Sequence, residues 1–396
     1  MIATLKLNHK IPNFQDARVA KRANLVLDWC DQFVGSKREM RVSSEELRRV
    51  FSNKDRGLGS WLYSTLLIQV GTYQVGSHPY SYSLKIEGYQ KLCGLLGREV
   101  RSETDVVRQR FQPVLDGRAV EYHDNGLRRF HPVQNIRRDV RKQVFDGWWD
   151  YDVESCAPTL VYQYAVSHYR WVYGVQSAAE PFPSILRLIN DKAHIRQHVS
   201  SLTGLDVSRS KQILQMLFFR ANPGMHASNA LYSTLGNDPY IFQKLVNDDY
   251  VQALRLDAKA MWRYAIARDT HERASLRMSG IKSSTPVSGI RARRMNIYLS
   301  LERRVMDAIF RQLSADGVTH VIMHDGFMSR DKVDVGKLTR LVKDEMGYEI
   351  RLSETRLGQH DELEPEIDVE QAMQEVDVED DNEFNSDHRT DKPAFG

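Results

Sequence analysis

The segment 318-VTHVIMHDGFMSR-330 breaks a short apolar run at His324-Asp325-Gly326 and then restarts it. Asp-Gly is an ordinary signal for a tight hairpin turn, with the apolar runs on either side as its strands. The same placement puts a carboxylate at a strand tip, where it can reach a divalent cation. A second acidic segment, 150-DYDVESCAPTL-160, offers a partner. Side chains alternate along a strand, so Asp150 and Asp152 project to one face. If the two tips converge, their hard oxygen ligands suit Mg²⁺, which keeps waters and substrate phosphates in its other positions. Two such ions about 3.5–4 Å apart stabilise both the attacking and the leaving oxygen of an in-line displacement. That is the chemistry of nucleotidyl transfer, with Asp152 and Asp325 as metal ligands.

Two basic segments could serve that chemistry. In 207-VSRSKQILQMLFFRANPG-224, Arg209 and Lys211 open an apolar helix, and Lys211, Gln215 and Phe219 fall four apart along one stripe. Cations here could grip a triphosphate, Lys211 as electrostatic clamp or proton donor, and Phe219 could stack on a base. The same letters also describe an amphipathic helix with Phe219 in the core and Lys211 solvated. In 124-DNGLRRFHPVQNIRRDVRK-142, the cations Arg128, Arg129, Arg137, Arg138, Arg141 and Lys142 interleave with Phe130, His131 and Gln134. Cations for phosphates and planar groups for bases suit a nucleic-acid track; a solvated helix flank has the same composition.

The order of these pieces resembles the palm and fingers of the single-subunit RNA polymerases of phages and mitochondria, relatives of the family A DNA polymerases. The resemblance covers about residues 120–355 and rests on short motifs in order. Residues 152-DVESCAPTLVYQ-163 are similar to the family's first acid motif, with one extra residue before Ser-Cys. This implies Asp152 as the metal-binding aspartate, with Asp150 as the fallback. Lys211 and, eight residues on, Phe219-Arg220 stand where the family has Lys and Tyr-Gly. His324-Asp325-Gly326 stands where relatives have His-Asp-Ser or His-Asp-Glu, which implies Asp325 as the second ligand and His324 beside the growing 3′ end. Residues 124-DNGLRR-129 resemble the Asp-x-x-Gly-Arg motif that grips the template and hybrid, with its glycine displaced; Arg128 and Arg129 both remain candidates for the arginine. Phe219 in place of tyrosine leaves the choice of sugar open, and Arg220 in place of glycine implies a different backbone there. The resemblance implies two Mg²⁺ ions, a DNA template, nascent RNA and nucleoside triphosphates. The short span before Asp152 implies a second polymerase subunit or accessory DNA-binding protein, as in the two-subunit enzymes of some podophages. The competing readings are a DNA polymerase or primase on the same palm, a non-catalytic DNA-binding replication or transcription factor, and a nuclease.

The elements that must position these residues read as an α+β domain over 118–357. It has acid-bearing strands at 146–153 and 318–328, helices from 156, at 208–220, 294–314 and 334–346, and a strand at 348–352. Residues 1–117 read as a mixed N-terminal region for subunit or nucleic-acid contact. Ser43-x-x-Glu46 and Ser102-x-x-Asp105 resemble capping boxes there, and the Tyr- and Ser-rich 73–91 suggests strands. Fourteen acids against Arg389 and Lys392 give 361–396 a net charge of −12, so 1–360 carries +15 of a chain whose total is +3. A basic body is the electrostatic footprint of a nucleic-acid binder. Residues 358–396, acidic and poor in large apolar groups, are expected to be disordered. Three widely spaced cysteines fit a reducing compartment. The absence of an apolar run near 20 residues and of a secretory leader gives the expectation of a cytoplasmic protein, in the host cytoplasm for a phage protein, without membrane contact.

Overall fold

A computed structural model describes residues 11–35, 40–41, 44–51, 57–69, 81–99, 101–118, 120–124, 126–174, 180–221, 223–278 and 289–358. The fold is α+β, and the chain divides into two compact units. One comprises residues 1–122, 130–148 and 356–358; the other comprises 123–129, 149–355 and 359–396. The basic stretch 127–142 is therefore shared between units rather than belonging to one domain that starts at 118. Ser43 and the acidic tail from 359 lie outside the described residues.

The first unit is built from α1 (Ala17–Cys30), β1 (Met40–Arg41), α2 (Ser44–Val50), α3 (Leu58–Leu66), β2 (Leu67–Gln69), β3 (Ser81–Leu84), α4 (Ile86–Leu95), α5 (Glu103–Arg110) and α6 (Gln112–Leu115). Leu27, Leu62, Leu66 and Leu92 are fully buried where α1, α3 and α4 meet. Around them Trp29, Phe51, Tyr63 and Tyr82 form a chain of edge-on rings, each pair less than 6 Å apart. Of 73–91, residues 73–80 lie outside the described residues; among the rest, 81–84 is strand and Ile86 onward is α4, because Tyr89, Leu92 and Cys93 fall at helical spacing against the core. Ser102 caps α5 as its spacing predicts, accepting from the Asp105 N–H.

After β4 (His123–Asp124), β5 (Arg129–Phe130) and α7 (Arg138–Val144), the second unit holds the segments of chemical interest. They are β6 (Trp149–Val153), α8 (Cys156–Tyr173), α9 (Pro183–Asn190), α10 (Lys192–Thr203), α11 (Val207–Phe218), α12 (Ala230–Thr234), α13 (Pro239–Val246), α14 (Asp249–Met278), α15 (Ile290–Ala315), β7 (His320–Ile322), β8 (Gly326–Ser329), α16 (Val335–Met346) and β9 (Leu352–Arg356). The last strand lies four residues beyond its expected start, because 348–351 is not hydrogen-bonded as strand. The sheet order is β7-β8-β6-β9, and β8 pairs antiparallel with both β6 and β7. Tyr151 and Val153 point into the core, where Tyr151 stacks on Phe327 at 4.8 Å. The polar residues of β6 take the other face, the period-two rule at work. Among the described residues no helix is long and apolar enough to cross a membrane.

Candidate active site

The site begins with one strand pairing. Asp152 on β6 lies opposite Gly326 on β8, and the Val153 N–H donates to the Asp325 carbonyl at 2.9 Å. Asp152 is exposed and Asp150 half-buried on the same face. The hairpin that presents Asp325 differs from the expected turn. Its loop residues are His324 and Asp325, with the Met323 N–H donating to the Gly326 carbonyl at 2.9 Å, and Gly326 is already in the strand. Gly326 does not supply a left-handed turn; it permits close approach. A β-carbon there would lie 2.0 Å from the Tyr151 carbonyl oxygen and 2.4 Å from Asp152 Oδ1. The glycine of His-Asp-Gly is thus the residue that lets the Asp152 carboxylate lie against the strand carrying Asp325.

Asp325 is half-buried by surface exposure, and its carboxyl is enclosed by protein. Its pKa is pushed up to about 7 by burial first, then by the charges of Asp152 and Glu302, with Arg128 pulling the other way. Glu302, on α15, was not singled out in the sequence. It is 2% exposed and holds Arg128, itself 7% exposed, in a two-pronged ion pair: Nε to Oε1 and Nη2 to Oε2, each 2.8 Å. Tyr298, one turn earlier on α15, is buried and shares a side-chain hydrogen bond with Cys156 at the start of α8. Burial raises both groups well above their ordinary values, and Glu302 and Asp325 add to the rise. Neither Glu302 nor Tyr298 carries a local signal, because an acid on a long amphipathic helix reads as part of its solvated face.

The other expected site residues divide. His324 lines a small recess with Arg128, Glu302, Met306 and Ile322, next to the acid pair. Arg128 is not on an exposed template track: its guanidinium is sequestered against Glu302. Arg129 lies 3.2 Å from Asp307 and 3.8 Å from Asp124. Asp124 in turn takes two bonds from Arg303, at 2.9 and 2.7 Å, which hold its carboxyl well below the usual carboxylate range. The segment 124–129 therefore anchors on α15 at Glu302, Arg303 and Asp307. Arg137 and Arg138 belong to the first unit, where Arg137 pairs with Glu103 at 2.6 Å and Asp139 at 3.1 Å.

On α11, Asp206 caps the helix by accepting from the Arg209 N–H at 2.7 Å. Arg209 is exposed and Lys211 half-buried. Phe219 is 1% exposed and packs among Phe218, Trp262 and Tyr298, so in this structure it is a core residue and presents no face to a base. It does connect the lysine helix to the acid cluster, its ring centroid 5.9 Å from that of Tyr298. Arg220, at the family's glycine position, has φ +65°, the left-handed conformation that glycine favours. The backbone there takes a path that glycine favours despite the side chain.

Among the described residues no three His, Cys, Asp or Glu side chains form a ready-made metal set. The paired carboxylates of Asp152 and Asp325 nevertheless fit Mg²⁺, which binds through one or two carboxylates and completes its shell with water and phosphate oxygens. Burial is the main cause of the rise at Asp325, and the repulsion from Asp152 that adds to it is what a dication would relieve. No protein-family model matches the chain, and a search of the curated proteins finds no match.

Proposed function

We propose that this chain is the catalytic part of a template-dependent nucleotidyltransferase, a DNA-directed RNA polymerase with a right-hand palm formed by the β7-β8-β6-β9 sheet. The observation that carries the reading is the register that sets Asp152 against Gly326 and so brings two aspartates from distant segments to one strand tip. Asp152 and Asp325 would hold Mg²⁺, which when bound activates the 3′-hydroxyl and neutralises the pyrophosphate leaving group. The protein's own residues supply the frame. The buried Arg128–Glu302 pair lies within electrostatic reach of Asp325. His324 faces the recess beside the acids. Lys211 and Arg209, at the start of α11, would face the triphosphate. A DNA template and nucleoside triphosphates are the substrates in this reading, and a second subunit completes the enzyme.

The test is nucleotide addition on single-stranded DNA with Mg²⁺, offering ribonucleotides and deoxyribonucleotides separately. Incorporation of ribonucleotides that is lost in Asp152→Asn and in Asp325→Asn supports the reading. Incorporation only of deoxyribonucleotides converts it to a DNA polymerase. Template degradation without nucleotides replaces it with a nuclease, and wild-type activity in either variant removes the acid pair from the chemistry.

A further inference from the structure

A row of cations runs along α14, outside the acid site. Arg255, Lys259 and Arg263 stand at i, i+4 and i+8, so they lie on one stripe with neighbours roughly 6 Å apart along the axis. Like charges at this spacing weaken a helix, and a fourth cation is added from α11's end, where Arg220 lies within electrostatic reach of Arg255. Arg220 reaches this place from a left-handed backbone that disfavours every residue with a side chain. Burial lowers the pKa of Arg255, and Arg220 lowers it further. Lys259 and Arg263 are exposed, Arg220 and Arg255 half-buried.

The row ends at rings. Arg263 is within electrostatic reach of the Tyr264 hydroxyl, which donates to the Tyr173 hydroxyl at 3.1 Å. Tyr173 is 62% exposed and Trp171 68% exposed, the latter flanked by His168 and His271, each with ring centroid 5.3 Å away. An exposed tryptophan is costly in water, and evenly spaced cations beside exposed rings are what a single nucleic-acid strand needs: charges for its phosphates and flat faces for its bases.

We propose that Arg220, Arg255, Lys259 and Arg263, continuing to Tyr173 and Trp171, form a binding track for single-stranded nucleic acid. Its phosphates follow the cation row, and its bases stack on the exposed rings. The template-dependent reading supplies only the identity of the strand, template DNA or product RNA; the shared ligand chemistry is an unpaired sugar-phosphate chain.

The test is fluorescence anisotropy of the full chain with a labelled single strand of about 15 nucleotides, as DNA and as RNA, over a salt series. The double variant R255Q/K259Q is expected to bind roughly tenfold more weakly and to lose about 1.4 from the log–log salt slope, about 0.7 for each phosphate contact removed. Trp171→Ala is expected to lose roughly tenfold with the slope unchanged, because stacking carries no charge. Arg220→Gly is expected to weaken binding while its melting temperature holds or rises, since glycine relieves the left-handed strain. A loss confined to DNA assigns the track to the template, and a loss confined to RNA assigns it to the product. Unchanged affinity and slope in R255Q/K259Q, in protein that melts like the wild type, overturns the proposal and leaves the surface to a protein partner. Asp152→Asn is expected to bind normally in this assay, so failure of the track and failure of the catalytic reading are scored separately.

Discussion

Asp152 Oδ1 lies 2.4 Å from where a β-carbon on residue 326 would stand, so the carboxylate of one acid segment occupies the space a side chain would need in the other. The turn signal and the chemical signal in His-Asp-Gly are thus parts of one arrangement. The glycine serves the aspartate opposite it, and the loop is made by the two residues before it.

Gly326→Ala is therefore expected to act like overpacking rather than like a change of turn. The new methyl meets backbone at the Tyr151 carbonyl, 2.0 Å away, which cannot rotate aside. Destabilisation of at least about 1–3 kcal/mol is expected from denaturant unfolding, with nucleotide addition lost as the two aspartates are pushed apart. A stability equal to wild type would mean that β6 and β8 are not paired in this register.

Asp325 makes the stability of the metal-free protein depend on pH. Its carboxyl has a folded value raised from 3.8 to about 7 by burial, Asp152 and Glu302. The stability it contributes is therefore fully present below about pH 4 and is lost as the pH rises through 7. A rise of that size corresponds to as much as about 4 kcal/mol. Thermal melts in metal-free buffer are expected to show the wild type losing stability between about pH 4 and 7, the span between the free and folded values of this carboxyl, and Asp325→Asn losing less. At the upper end Mg²⁺ is expected to restore stability to the wild type and not to the variant. Parallel pH curves for the two proteins would place Asp325 in a solvated setting instead.

The Arg128–Glu302 pair is expected to behave as a buried unit. Removing one partner leaves an uncompensated charge, and Arg128→Met or Glu302→Leu alone should cost about 3–5 kcal/mol. The double variant should cost less than the sum, because each apolar side chain then meets the other. Additive losses in a double-mutant cycle by denaturant unfolding would show that the two groups do not depend on each other.

Much of this site was legible in the sequence. The period-two rule placed Asp150 and Asp152 on one face, Asp325 reached a strand tip, and the helices around 208–220, 294–314 and 334–346 formed close to their expected limits. What misled was the meaning of charge. Arg128 stands among six basic residues and reads as part of a surface track, yet its partner is 174 positions away on α15. Glu302 reads as solvated for the same reason, since only the folded chain reveals that the stripe carrying it turns inward. Phe219 admitted both a core and a stacking reading from spacing alone. Trp262, whose Nε1–H donates to the Phe218 carbonyl at 2.8 Å, decides it for the core, and no local pattern announces that contact.

The three cysteines lead in another direction. Cys30 and Cys93 are enclosed in the first unit, and Cys156 is enclosed beside Asp325 and Tyr298 in the second. None offers its sulfur to reagents dissolved around the native chain. Alkylation at each therefore clocks how often its surroundings breathe, so one unmodified polypeptide carries separate timers for its two halves, one of them set beside Asp325.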